Sequence, residues 1–223
     1  MGYSLSNKLV VAVSSRALFE LEAENKVFEE KGLDHYYEYQ LNNENTPLAR
    51  GTGYRLIENL LKINSYFSSE EKQVEVIILS KNNAATSLRI TNAIKECNLD
   101  ISRSGWTSGH DISNYLKAFK VDLFLSANDT DVINAIKSGV AAAKILPSHE
   151  SVHNSLGDQV RIAFDGDAVL FSEESELVYK EHGLEAFIEH EKNLLRALPL
   201  IKYKVLDEYS KTIVSSNFLI IFL

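Results

Sequence analysis

Arg161-Ile162-Ala163-Phe164-Asp165-Gly166-Asp167-Ala168-Val169-Leu170-Phe171-Ser172 decides how this chain is read. Val160 to Phe164 has the run of apolar residues expected of a buried strand. The strand ends on one aspartate, and a second follows two residues later. Asp and Gly favour turns, so Asp165-Gly166-Asp167 could be a turn and nothing more. Ala168 to Phe171 is apolar again, however, so the acids interrupt buried sequence and do not close it. In an open parallel sheet, ligands bind at the carboxyl ends of the strands. Both carboxylates would face that edge. Two acids this close repel one another unless a cation compensates, and a hard cation such as Mg²⁺ takes few protein oxygens, several waters and a substrate phosphate.

Working outward, strands and helices alternate. Leu9 to Val13, Val74 to Leu79, Val121 to Leu125 and Ala141 to Leu146 read as further strands, with helices over Ala17 to Lys31, Tyr54 to Ile63 and Ala84 to Cys97. Continuous apolar strands separated by helices predict an α/β fold, a parallel Rossmann-like sheet covered on both faces. Pro147 to Asp158 is polar and rich in turn residues, which marks a boundary between domains at 1–150 and 159–223.

An ungapped shift of 151 positions superposes the two parts. Ala12 falls on Ala163, Ala17 on Ala168, Glu22 on Glu173, Val27 on Val178 and Phe28 on Tyr179. Gly32-Leu33 falls on Gly183-Leu184, Glu38 on Glu189 and Asn42 on Asn193. The expectation is an internal duplication with an incomplete second copy. Ser14 and Arg16 then stand where Asp165 and Asp167 stand, so the first copy has the frame of the site without its carboxylates.

Composition bounds the partners. The chain has 223 residues and a formal net charge of −8, which argues against a nucleic-acid backbone as the main partner. It leaves a small anionic substrate open, since a metal ion reverses the local field. One cysteine, Cys97, excludes an intramolecular disulfide and fits a reducing compartment. No run reaches the roughly 18 apolar residues that a membrane span needs, and no secretory signal is visible. The apolar end, Phe218 to Leu223, reads as a buried strand or an abnormal terminus. His149 and His153 could share a helix face, but no third ligand lies near them, and solvated histidines in a linker are the preferred reading. Gly105 to His110 reads either as a loop over a ligand or as a structural turn with one buried Trp.

Asp-x-Asp after an apolar strand resembles the first motif of the haloacid dehalogenase superfamily. Ala12 to Phe19, Ile78 to Asn82, Tyr115 to Phe119, Asp122 to Asn128, Ala163 to Phe171 and Gly183-Leu184 together resemble the cytosolic 5′-nucleotidases of type I. The resemblance implies Mg²⁺-dependent hydrolysis of nucleoside 5′-monophosphates in the cytoplasm. Asp165 would be the nucleophile that becomes an aspartyl-phosphate, and Asp167 the general acid and base. Asp165 and Asp167 would also hold the metal. In the first copy, Ser80 and Lys117 stand at positions for degenerate phosphate-binding groups, and Ser126 to Asp129 for a degenerate acidic pair.

By the same shift, the second copy's partners of Ser80, Lys117 and Ser126 fall near 231, 268 and 277, past Leu223. The expectation is therefore a truncated, poorly active chain with an unpaired sheet edge open to association, including with a second copy. The rival reading is a non-catalytic nucleotide-binding or regulatory module built on the first half, although plain packing of that half is preferred on sequence alone. Another phosphatase of the same superfamily is a third reading.

Overall fold

The computed structural model describes residues 5, 7–146, 160–164, 174–194 and 218–222. Asp165, Asp167, the expected linker, His149 and His153 all lie outside the described residues. The chain divides into two compact units, Met1–Leu156 and Gly157–Leu223.

The first unit is built on β1 (Leu9–Val13), β2 (Val74–Ser80), β3 (Arg103–Trp106), β4 (Leu123–Ser126) and β5 (Ala141–Lys144). Their spatial order is β3-β2-β1-β4-β5, and every neighbouring pair is parallel. The fold is α/β, with a doubly wound, Rossmann-like strand order. Val10, Ala12, Ile77, Leu79 and Phe124 centre the core, closed by Leu116 and Ala135 from the helices and by Ile112 from the residue before a helix. The central strands β1, β2 and β4 read as largely apolar runs because a central parallel strand is covered on both faces.

Between β1 and β2 lies a helical excursion: α1 (Ser15–Leu18), α2 (Glu22–Asn42), α3 (Tyr54–Ile63) and a 3₁₀ turn at Asn64–Tyr66. The expected single helix from Ala17 is broken early. Phe19 is extended and bridges to Arg50, and the loop holding Gly51 and Gly53 crosses α1 closely. Gly51 and Gly53 donate to the Leu18 and Ala17 carbonyls, each at 2.9 Å. A Cβ on Gly53 would lie 2.6 Å from the Ala17 carbonyl oxygen. α4 (Leu88–Glu96), α5 (Ser113–Ala118) and α6 (Asp129–Lys137) complete the unit.

The second unit holds β6 (Val160–Phe164), α7 (Glu174–Leu194) and β7 (Phe218–Phe222). β6 and β7 pair in parallel, Val160 opposite Phe218 and Phe164 opposite Phe222. Of the apolar end, Phe218–Phe222 is thus a strand.

α2 and α7 share an irregularity. Each is interrupted by a glycine with mirror-image extended backbone: Gly32 at φ +82°, ψ −175° and Gly183 at φ +80°, ψ −176°. Each carries an edge-to-face ring pair across its glycine. Phe28 and Tyr36 have centroids 5.8 Å apart at 76°, and Tyr179 and Phe187 are 5.9 Å apart at 79°.

Candidate functional site

Strands β1, β2 and β4 end side by side at the carboxyl edge of the sheet, and α2 passes over them. Between them lies a cleft of about 530 Å³. Its floor comes from the strand ends: Ser14, Ser15 and Arg16 after β1, Ser80 to Asn82 at the end of β2, and Ser126 and Asn128 at the end of β4. Its wall comes from α2 and its approach, with Leu21, Phe28, Leu33 and Tyr36 supplying apolar surface.

Hydroxyls dominate the floor. Ser15 Oγ lies 2.9 Å from Ser80 Oγ, and the Asn82 Oδ1 accepts from both, at 3.0 and 2.9 Å. Two hydroxyl protons serve three oxygen–oxygen contacts, so one edge of this triangle always lacks a hydrogen. Asn82 Nδ2 donates to the Tyr36 hydroxyl at 3.0 Å, as does Gln40 Nε2. Burial is the main reason the Tyr36 phenol is pushed above its ordinary pKa, with the two amide donors opposing it. Ser14 is 6% exposed, and its hydroxyl has no hydrogen-bond partner among the described residues. An unsatisfied buried hydroxyl costs about 1–3 kcal/mol.

The charges at the cleft are largely matched. Arg16 donates to Glu22 at 2.7 Å and to Asn25 at 3.0 Å, while its Nε is buried without a partner among the described residues. Lys81 meets Asp131 at 2.6 Å. Asn128 accepts the Asp131 backbone N–H and so caps α6. Glu24 is paired at 2.6 Å with Arg89, each side chain 7% exposed. Arg89 Nε also donates to the Thr46 carbonyl.

Of the residues singled out from sequence in this unit, Ser80 lies on the cleft floor. Lys117 does not: it sits exposed in the last turn of α5, away from the lining residues. The ammonium at the cleft is that of Lys81, adjacent to Ser80. Ser126 and Asn128 line the cleft, whereas Asp129 turns to Lys144 at 2.8 Å. Gly105 and Trp106 end β3, with the Trp half-buried, and the next residues, Ser108 and Gly109, reach the cleft. Tyr36, Glu24 and Asp131 were missed. Nothing in their local sequence marks them, because long-range folding brings them to the site. Among the described residues, no group of three or more His, Cys, Asp or Glu side chains could hold a metal.

The family model described as 5′-nucleotidase matches residues 1–202. The chain belongs to the 5′-nucleotidase family. Human cytosolic 5′-nucleotidase 1B is 36% identical to it over 198 residues, which is 87% of this chain and 32% of the relative. The chain therefore spans about a third of the length of that relative. Among solved structures, the HAD domain of effector protein Lem4 from Legionella pneumophila, an inactive mutant, aligns with 64% of this chain and 88% of its own, at 12% identity and a TM-score of 0.36. No described helix is long and apolar enough to cross a membrane.

Proposed function

We propose that this family member carries the nucleophile of a cytoplasmic 5′-nucleotidase, in the unit that begins with β6. The observation that carries this reading is the position of Asp165-Gly166-Asp167 immediately after Phe164, the last residue of a strand paired in parallel, in a member of the 5′-nucleotidase family. Asp165 attacks the phosphorus of a nucleoside 5′-monophosphate, and the bond to the 5′ oxygen breaks. Asp167 protonates that leaving oxygen, then takes a proton from the water that releases phosphate. Asp165, through its carboxylate, and Asp167, through its main-chain carbonyl, would hold Mg²⁺, a hard cation that takes oxygen donors. Bound there, the ion would supply the positive charge that screens nucleophile and phosphate from one another.

We read the two units as copies, a degenerate half over 1–150 and the start of a catalytic half over 159–223. β6 begins and ends 151 positions after β1. The glycine kink and the ring pair of α2 recur in α7 at the same spacing. The first cleft does not suit Mg²⁺, because a hydroxyl and a guanidinium, Ser14 and Arg16, occupy the carboxylate positions.

Phosphate release from nucleoside monophosphates with Mg²⁺ tests the activity, on this chain and on the chain joined to the C-terminal remainder of the human relative. Asp165→Asn should lower turnover by about a thousandfold or more. Undiminished release in Asp165→Asn, or no release from either parent, overturns the reading.

A further inference from the structure

We infer that the cleft of the first unit binds a phosphomonoester carrying a planar ring system and holds it without hydrolysing it. The inference rests on the geometry of that unit and not on the activity proposed for Asp165.

The floor is made of donors. The Ser14 hydroxyl has no partner among the described residues. The Ser15–Ser80–Asn82 triangle can turn a hydroxyl proton outward and lose one of its two hydrogen bonds. Arg16 keeps an unpartnered Nε, and its bond to Glu22 is a partly exposed ion pair of small value that a phosphate could replace. The carboxylates that line the cleft are already matched, Glu24 by Arg89 and Asp131 by Lys81. They do not repel an anion as free acids would. Charge-assisted hydrogen bonds of this kind are the stronger class, and phosphate oxygens accept several at once.

The wall suits the rest of the ligand. Phe28 is 46% exposed although it lines the cleft, and its ring is braced edge-to-face by Tyr36. An open ring face backed by a second ring is a stacking platform for a flat heteroaromatic group. Leu21 and Leu33 extend the apolar surface. The volume is within the range of small-molecule sites.

Turnover is excluded by what stands at the head of the cleft. A carboxylate after β1 would attack phosphorus, and one two residues on would move the proton. Ser14 is instead a hydroxyl with no hydrogen-bonded base among the described residues, and Arg16 brings a guanidinium that only donates hydrogen bonds. Both favour a bound phosphate over its cleavage.

The test uses the full chain carrying Asp165→Asn, so that turnover elsewhere is removed, with AMP, inorganic phosphate and adenosine as probes. Backbone amide resonances of Ser14 to Arg16 and Ser80 to Asn82 are followed by NMR. AMP should shift them saturably, phosphate more weakly, and adenosine least. Ser14→Ala should weaken AMP binding about tenfold or more, and Ser14→Asp should abolish it. Phe28→Ala, at a half-exposed position, should weaken AMP and leave phosphate affinity as it was, with an unchanged amide spectrum elsewhere in the unit as the check that the fold is kept. Unmoved amides at millimolar AMP overturn the inference, as does equal affinity for AMP in the parent and in Phe28→Ala. Neither result bears on phosphate release by Asp165, so the two readings can fail separately.

Discussion

Arg89, on α4, ties that helix to α2 and to the loop that follows it. It is buried with Glu24 in a 2.6 Å ion pair and donates a second bond to the Thr46 carbonyl. Removing one member of such a pair leaves an uncompensated buried charge, which costs about 3–5 kcal/mol. Glu24→Ala should therefore destabilise the unit by that amount in urea unfolding. The double change Glu24→Leu, Arg89→Met should recover much of it, because no charge is then stranded. Asp111 behaves differently, at the surface. Its carboxylate accepts the Ser113 hydroxyl at 2.7 Å and the Ser113 backbone N–H at 3.1 Å, and these bonds hold its pKa below the ordinary value. A depressed carboxylate stabilises above its unfolded pKa, about 4, and loses that contribution as pH falls through the lower native value. Wild type should exceed Asp111→Ala in unfolding midpoint at pH 7, and the gap should shrink by pH 3.

At the scale of elements, the two kinked helices offer the sharpest comparison. Gly32 and Gly183 hold a backbone conformation that is nearly exclusive to glycine, and neither would bring a Cβ against any neighbour. The penalty for alanine is therefore conformational alone, about 1–3 kcal/mol. Gly32→Ala and Gly183→Ala should cost similar amounts, or lower helicity by circular dichroism to a similar degree. A large difference would count against reading the two helices as copies. Elements of this kind were only partly legible in the sequence. Leu9 to Val13, Val160 to Phe164 and Tyr54 to Ile63 match their strands and helix to the residue, because apolar runs and helical spacing set their limits. Arg103–Trp106 escaped notice, since an edge strand reading Arg-Ser-Gly-Trp has no apolar run and is defined by its pairing with β2. The strand expected at Val121 starts two residues later, because Asp122 caps the strand edge, accepting the Val10 N–H at 2.8 Å. The helix expected from Ala17 is broken by Phe19, whose bridge to Arg50 involves a partner 31 residues away.

At the scale of the molecule, the first unit has its own sheet, core and cleft within Met1–Leu156. A fragment of residues 1–156 should fold alone, with a cooperative urea transition and the amide spectrum of the same residues in the full chain. A fragment spectrum typical of an unfolded chain would refute this. The cleft was legible to the extent that its residues sit at strand ends, where Ser14, Arg16, Ser80 and Ser126 could be placed by counting. Lys117 does not line the cleft and Lys81 does, because spacing cannot say which lysine near a strand end turns inward, and Lys81 is held through Asp131 on α6. The Arg89 pair has one more consequence, a kinetic one. α2, which carries the cleft wall, is fastened through Glu24 to α4, so the wall stands ready before any ligand arrives. Entry then needs no closing step: stopped-flow association should show a single phase, linear in ligand concentration, with release alone setting how long the guest stays.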